Sequence, residues 1–217
     1  MSTVKVKKAN RIPLGSGKMY CVEETETVKL TSAMTIADVL QFITDHAKEE
    51  NILGRIKNGA TYNYNFTTYT EKDDFNEVSK TTTTDETVTL GAGFITFDLT
   101  MIQKLIATLQ YETDGNGNEM AKIGGIKNDN GKKYIIIFVH EDKVDGDIVI
   151  MIRGKNTGAI ALAFANGAGT MTNPVFTAEP FDTDGVTSII LSKASASAAK
   201  SETTQTETTQ EATTEEE

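Results

Sequence analysis

The sequence YIIIFVHEDKVDGDIVIMI occupies residues 134–152 and contains two hydrophobic runs, 134–139 and 148–152. Side chains of a strand alternate between the two faces of a sheet, so a run without polar positions predicts a strand that is covered on both faces. The Asp145-Gly146 pair between the runs is typical of a tight turn. We therefore predict an antiparallel hairpin that is buried on both faces.

The segment Thr61 to Thr67 has a different pattern, in which aromatic and polar side chains alternate. The faces of the predicted strand carry Tyr62, Tyr64 and Phe66 on one side and Asn63, Asn65 and Thr67 on the other. Such alternation is typical of a strand with one buried face and one solvated face. We expect the aromatic face to be the buried one.

Two further strands are predicted in the second half of the chain. Ala159 to Ala165 alternates alanine with larger apolar residues, so an alanine face would let another layer or another subunit approach closely. Thr187 to Lys193 is the final strand, and it completes a β-sandwich or barrel.

Apolar residues at helical spacing predict two helices, Ile36 to Glu50 and Leu99 to Tyr111. Thr35 is the expected N-cap of the first helix, with Asp38 completing a capping box, and Asp98 is the expected N-cap of the second. The predicted stripes are Ile36, Val39, Leu40, Ile43 and Ala47, and Leu99, Ile102, Leu105, Ile106 and Leu109. Each stripe indicates a helix that lies on a sheet, so the predicted fold class is mainly β with flanking helices (α+β).

Charge divides the chain of 217 residues into three regions. Residues 1–18 carry five basic residues and no acid, and we interpret them as a basic N-terminal arm. Residues 19–193 form the predicted β domain. Residues 194–217 carry six glutamates and one lysine but no Val, Ile, Leu or aromatic residue, which predicts a disordered acidic tail. The net charge of −10 argues against tight nucleic-acid binding, because few cations are left to neutralise phosphates.

The sequence contains neither a membrane-spanning apolar run nor the apolar stretch of a secretory signal, so we expect a cytoplasmic protein without membrane insertion. The single cysteine, Cys21, is predicted to be a small buried side chain on a strand. His46 and His140 are expected to be partly buried structural residues, since neither has a histidine or cysteine at metal-ligand spacing.

Three motifs were tested for chemistry, and each fails. Gly15-Ser16-Gly17-Lys18 lacks the first glycine and the final Ser or Thr of a phosphate-binding loop, because Ile12 and Met19 stand there. Asp114, Asn116 and Asn118 have calcium-loop spacing, but Glu119 and Gly125 replace the required glycine and glutamate. Asp182-Thr183-Asp184-Gly185 is interpreted as a turn. We therefore predict no catalytic residue, metal site or cofactor, and a protein that is not an enzyme.

Two segments of the chain resemble the major tail proteins, or tail tube proteins, of long-tailed bacteriophages, particularly those of Gram-positive hosts. The opening segment is Arg11-Ile12-Pro13-Leu14-Gly15-Ser16-Gly17-Lys18-Met19-Tyr20. The closing segment is Asn173-Pro174-Val175-Phe176-Thr177-Ala178-Glu179-Pro180-Phe181-Asp182. A helix leading out of a strand near Phe97-Asp98 agrees with the family, and the resemblance runs from about Ile12 to Leu191.

The resemblance implies a β-sandwich or barrel whose six copies close into a ring, with rings stacked into the tail tube of the virion. Tape measure, tail tip and tail terminator proteins are the implied partners, and DNA passes through the lumen without specific binding. Assembly would take place in the host cytoplasm. We expect acidic side chains to line the lumen, where they repel phosphates.

A second expectation concerns the basic arm and the segment from Thr70 to Glu86, which contains four consecutive threonines. We interpret the segment from Thr70 to Glu86 as a long loop, and we expect it and the basic arm to be disordered in the monomer and to order against the adjacent ring. The alternative function is another phage β-domain, such as a capsid decoration or receptor-binding module, because a fold alone does not fix a function.

Overall fold

The computed structural model describes residues 15–142, 146–162 and 173–193. The α-helices of these residues are α1 (Ile36–His46) and α2 (Leu99–Leu105). Their strands are β1 (Lys18–Glu23), β2 (Ile52–Gly54), β3 (Ile56–Lys72), β4 (Ser79–Phe94), β5 (Leu109–Thr113), β6 (Glu119–Ile123), β7 (Tyr134–His140), β8 (Ile148–Asn156), β9 (Val175–Ala178) and β10 (Ser188–Ser192). Most of the predicted basic arm and all of the predicted acidic tail lie outside the described residues.

The strands pair antiparallel, in the order β2-β1-β7-β8-β9-β4-β3, with β10 beside β8. Strands β5 and β6 form a separate two-stranded ribbon. The described residues are therefore mainly β, in antiparallel sheets with two α-helices, which confirms the coarse fold class predicted from the sequence.

The two ends of the sheet meet, because β2 and β3 are separated by Arg55 alone. The Arg55 amide donates to Thr96 Oγ1 at 3.0 Å and its carbonyl accepts from the Ile95 amide at 3.0 Å, both at the β4 side. The N–H and C=O groups of successive strand residues point to alternate edges of the strand. The backbone of Gly54 therefore points away from β4 and toward β1, where Met19 lies opposite it. The sheet thus closes into a barrel through the continuous segment β2–β3.

The predicted central hairpin is confirmed as β7 and β8, with Tyr134 opposite Gly154 and His140 opposite Ile148. Ile135, Ile136 and Ile137 are each 0% exposed, although their side chains point to alternating faces. Both faces of the hairpin are therefore covered, as the apolar run predicted. Asp145 of the predicted turn lies outside the described residues.

Two hydrophobic clusters cover these faces. The first is packed by α2 and the β5–β6 ribbon, and its buried members are Met19, Cys21, Leu53, Val88, Leu90, Ala92, Phe94, Met101, Ile102, Leu105, Leu109, Tyr134, Ile136, Ile152 and Phe176. The second is packed by α1, and its buried members are Tyr20, Leu30, Val39, Phe42, Ile135, Ile137, Val139, Val149, Met151 and Phe181. One cluster lies on each face of the β1–β7–β8 sheet.

Helix α1 begins as predicted, with Thr35 and Asp38 forming a reciprocal capping box. It ends at His46 rather than Glu50, because the Asn51 side-chain amide binds the His46 carbonyl at 2.9 Å and turns the chain into a short 3₁₀-helix. The predicted stripe is partly wrong, since Ile36 is 70% exposed.

Helix α2 has the predicted N-cap, Asp98, but it ends at Leu105 rather than Tyr111. Ile106 is already extended, and Leu109 begins β5, where it lies opposite Ile123. Leu109 is buried in the first cluster. The ribbon therefore buries the same apolar residue that suggested a longer helix.

The strand predicted from Ala159 to Ala165 is wrong for residues 159–162, which form no strand, and residues 163–165 lie outside the described part. The Asn156 side-chain oxygen accepts bonds from the Gly158 amide at 3.2 Å and the Val175 amide at 2.9 Å, which turns the chain away from the sheet after β8. The predicted final strand is confirmed as β10 beside β8. Among the described residues, no helix is long and apolar enough to cross a membrane.

Candidate functional site

The most unusual element of the molecule is the hairpin of β3 and β4. These strands are 17 and 16 residues long, whereas a typical strand has about 5–6 residues. Near the barrel, Val88, Leu90 and Phe94 are buried, and β9 pairs with β4 at residues 89–91. Every residue from 63 to 87 is exposed, and we call this distal part of the hairpin the arm.

The arm forms because its residues favour strands and its turn satisfies its own backbone. Threonine is β-branched, and the Thr70 and Thr81 hydroxyls lie opposite each other at 2.9 Å. At the tip, the Asp73 side chain accepts from the Val78 amide at 2.9 Å, and Asn76 adopts a left-handed backbone with φ of 56°. Local residues therefore favour both the strands and the turn of this hairpin, although no core covers it.

This finding corrects the interpretation of Thr70 to Glu86 as a loop that is disordered in the single chain. Most of that segment is paired strand, in a register that runs from Thr70 opposite Thr81 to Lys72 opposite Ser79. The four threonines 81–84 belong to β4. The register shifts by one residue there, since Thr67 lies opposite Asp85 and Thr68 lies opposite Thr83. The charged, turn-rich residues that suggested a loop are the tip of a hairpin.

The aromatic face of the predicted 61–67 strand is also not buried as expected. Tyr62 packs against the first cluster, and its hydroxyl lies 2.8 Å from Ser188 Oγ. Tyr64 and Phe66 are 50% and 60% exposed, because the arm leaves the barrel at this point. Tyr69, Phe75 and Val78 are also exposed nearer the tip, although Tyr69 lies on the opposite face of β3 from Phe66. Tyr64 and Phe66 therefore form a short aromatic stripe that the described residues of the chain do not cover.

Two tyrosines of the arm are held by carboxylates. The Tyr64 hydroxyl donates to Glu86 at 2.8 Å, and the Tyr69 hydroxyl donates to Glu71. These hydrogen bonds raise the pKa of each phenol above its usual value. The same hydrogen bonds orient the two rings on the surface of the arm.

The arm has a free backbone edge and a strong negative charge. Within the described residues, β3 is an end strand that pairs with β4 alone. The arm contains six carboxylates and two lysines, a net charge of −4. An unpaired, exposed strand edge is a ready template for another strand.

The residues tested for chemistry occupy structural positions. Cys21 is buried on β1, as predicted, and burial raises the pKa of its thiol to about 12. His46 stacks on Phe42 with ring centroids 4.4 Å apart. His140 is 5% exposed, and its Nδ1 lies 2.9 Å from the Ser16 carbonyl. These three side chains lie on different elements, and no two of them are in contact.

The carboxylates of Asp114 and Asp182, in the two candidate turns, accept hydrogen bonds from other residues of the chain. Asp114 accepts from the amides of Asn116 and Asn118 at 2.9 and 2.8 Å, which closes the β5–β6 turn. Asp182 accepts from the Ser32 amide at 2.8 Å. Over the described part of the chain, no group of three or more His, Cys, Asp or Glu side chains is placed to hold a metal ion.

A shallow cavity of about 270 Å³ lies where the hairpin leaves the barrel. Its walls are uncharged, and they combine polar residues such as Asn58 and Asn63 with apolar ones such as Pro174 and Val175. This lining offers hydrogen bonds but neither a general base nor a charged group. The chain matches no protein-family model and no curated protein.

Proposed function

We propose that the chain is a structural subunit that polymerises through its arm, and that the polymer is the tail tube of a long-tailed bacteriophage. The observation that carries the proposal is the arm itself, with its aromatic stripe outside the barrel. A two-stranded hairpin without a covered face is marginally stable in water, so a long one of this kind gains most from a neighbour. The natural neighbour in a repeating assembly is another copy.

The resemblance of the opening and closing segments to tail tube proteins supplies the form of the polymer. In this proposal six copies close into a ring, rings stack into a tube, and closure converts each exposed arm into an inter-subunit contact. The tube would join tape measure, tail tip and terminator proteins in the virion tail and conduct DNA during ejection. A net charge of −10 suits such a conduit, because an acidic protein repels the phosphates of DNA and does not bind them.

Electron microscopy of the purified chain over a range of concentrations tests the proposal. We expect rings or tubes at high concentration. Persistent monomers or trimers would contradict the tube and would favour a decoration or receptor-binding module.

A shortened hairpin provides the matched variant. Replacing residues 67–85 by Asn-Gly joins Phe66 and Glu86, which are cross-strand partners, through a two-residue turn. The barrel should fold with unchanged stability, measured by thermal denaturation, because every removed residue is exposed. Rings or tubes formed normally by this variant would show that the distal arm is not the assembly element.

A further inference from the structure

The outer edge of β3 lacks the features that usually protect an exposed strand edge. Among the described residues, β3 pairs with β4 alone. Residues 61–70 read TYNYNFTTYT, a run without a charge, a proline or a glycine. The register shift inside the arm places the extra residue, Thr84, in β4, so the spacing of β3 is regular over this run. Charges, proline and bulges commonly blunt such edges, and a β-prone run without them accepts another strand.

The two ends of β3 carry opposite charge. At the tip, residues 71–77 contain four acidic residues and one lysine, a net charge of −3. At the barrel end, Arg55 and Lys57 are exposed, and neither forms an ion pair with a described residue. Glu49 and Glu50 line a surface depression with Arg55 but do not pair with it. The two ends lie roughly 50 Å apart at about 3.3 Å per residue, so they do not meet within one chain.

We propose that the outer edge of β3 binds the same edge of a second copy of this chain in antiparallel orientation. The acidic tip of each copy then lies beside the basic end of the other, and opposite charges on adjacent strands stabilise the pair. Parallel pairing would instead bring the two acidic tips together. An antiparallel pair has two-fold symmetry and uses the same contact twice, which is the commonest arrangement of homodimers.

Charge and aromatic residues agree on one register. With the two-fold axis at Asn65, Asp73 of one copy lies opposite Lys57 of the other, because each is eight positions from the axis. The same register places Tyr64 opposite Phe66 of the second copy, and aromatic cross-strand pairs stabilise antiparallel sheets. The two arms thus form a four-stranded sheet whose four aromatic rings lie on one face.

This dimer is separate from the contacts of the proposed tube. Neighbours in a ring of six are related by a six-fold rotation, whereas the edge contact is two-fold. The dimer is therefore a state of the free subunit, in which each copy covers the edge of the other and prevents further strand addition. The inference goes beyond the proposed tube and does not depend on it.

Single-cysteine cross-linking in dilute protein tests the dimer. The two copies of Asn65→Cys face each other across the axis, and paired strands bring Cα atoms to about 4.5–5.5 Å, within the limit of about 7 Å for a disulfide. Cys21 does not interfere, since it is 0% exposed. We expect a disulfide-linked dimer by non-reducing mass spectrometry, in roughly tenfold greater yield than from Asn63→Cys.

Asn63→Cys and Thr67→Cys are the matched controls. In this register Asn63 lies opposite Thr67 of the second copy, so two copies of either variant hold their cysteines more than about 13 Å apart. Each variant alone should remain reduced, and a mixture of the two should cross-link. Equal yields from all three single variants, or no dimer from Asn65→Cys, would overturn the inference. A dimer formed only when Asn65→Cys is mixed with Ile190→Cys would assign the edge to β10 and overturn it as well.

An exchange of charge tests the antiparallel orientation. In the Asn65→Cys background, Arg55→Glu with Lys57→Glu makes both ends of β3 acidic, and Asp74→Lys with Glu77→Lys makes both ends basic. Each should cross-link roughly tenfold less than the parent at low salt, because exposed ion pairs are lost and like charges meet. An equimolar mixture should recover the parental yield, since each acidic end then meets a basic one. A mixture no better than either variant would overturn the orientation.

Two controls separate this inference from the folding of the chain and from the tube. Every charge substitution lies at an exposed residue, so thermal denaturation should give the melting temperature of the parent. The cross-linking is carried out below the concentration at which microscopy detects rings or tubes. Tubes without the dimer would overturn this inference alone, and a dimer without tubes would leave it standing while the proposed function fails.

Discussion

The barrel and the arm are built from the same antiparallel pairing, but they differ in what covers them. On β7, three consecutive isoleucines are 0% exposed, whereas every residue of the arm is exposed. The barrel strands are held by apolar layers on both faces, and the arm is held by its turn, its threonines and its cross-strand pairs. A segment can therefore form a regular strand without being buried, and the arm is the region for which the described residues provide no cover.

The largest expected effect is in the barrel. Ile136→Ala should lower the free energy of unfolding by about 2–5 kcal/mol, because it removes a fully buried side chain and leaves a cavity. Val78→Ala on the arm is the control, since Val78 is 69% exposed and its loss should change little. Urea denaturation measures both. Equal losses would contradict the contrast between the two regions.

A backbone contact gives the next effect. A Cβ at Gly154 would lie 2.0 Å from the Thr177 carbonyl oxygen, so Gly154→Ala must separate β8 from β9. We expect a loss of about 1–3 kcal/mol by the same denaturation assay. Gly115→Ala is the control, because nothing lies within 4 Å of a Cβ there. If Gly154→Ala is as stable as Gly115→Ala, then β8 and β9 do not approach each other as closely as described here.

Acid should weaken α2 through its N-cap. Hydrogen bonds from the Thr100 hydroxyl and amide, both 2.7 Å long, hold the pKa of Asp98 below its usual value. A lowered folded-state pKa gives stability that is present above the unfolded-state pKa, near pH 4, and is lost as pH falls through the folded-state pKa.

Asp98→Asn keeps an N-cap side chain but cannot titrate, so its deficit relative to the wild type should shrink between pH 5 and pH 3. Thermal denaturation at each pH measures this deficit. A deficit that stays constant over this range would exclude Asp98 as a contributor to acid sensitivity.

The smallest stability change is expected in the arm. Tyr64→Ser with Phe66→Ser should alter the free energy of unfolding by no more than about 0.5 kcal/mol, because both rings are half exposed or more. Urea denaturation of the double variant checks this. A loss as large as that of Ile136→Ala would place the stripe in the core of the folded chain.

The parts of the barrel that could be predicted from the sequence are those where one short segment fits a single structure. The 134–152 hairpin was predicted because no polar residue interrupts its strands, and the α1 cap because Thr35 and Asp38 stand three residues apart. The end of α2 was missed, since Leu109 fits a helical stripe and a buried strand equally well. Closure at Arg55 could not be predicted, because it depends on strands distant in sequence.

The arm was missed for a different reason. Alternation in Thr61 to Thr67 indicates two unlike faces, but it does not say that a face must be covered by the same chain. Tyr62 is half-buried and Tyr64 is exposed, although both belong to one pattern. The threonine run from 81 to 84 was a usable signal, because β-branched residues favour strands over loops. The sequence therefore contained a signal for the strands of the arm, but no signal that these strands would lie outside the core.

Sedimentation velocity of the wild type and the Tyr64→Ser, Phe66→Ser variant, at matched concentrations, tests most directly whether the arm joins subunits. We expect the wild type to form large assemblies as its concentration rises, and the variant to remain monomeric with the same melting temperature. If the variant assembles as readily as the wild type, or if the wild type stays monomeric at every concentration, the aromatic stripe does not join copies of this chain.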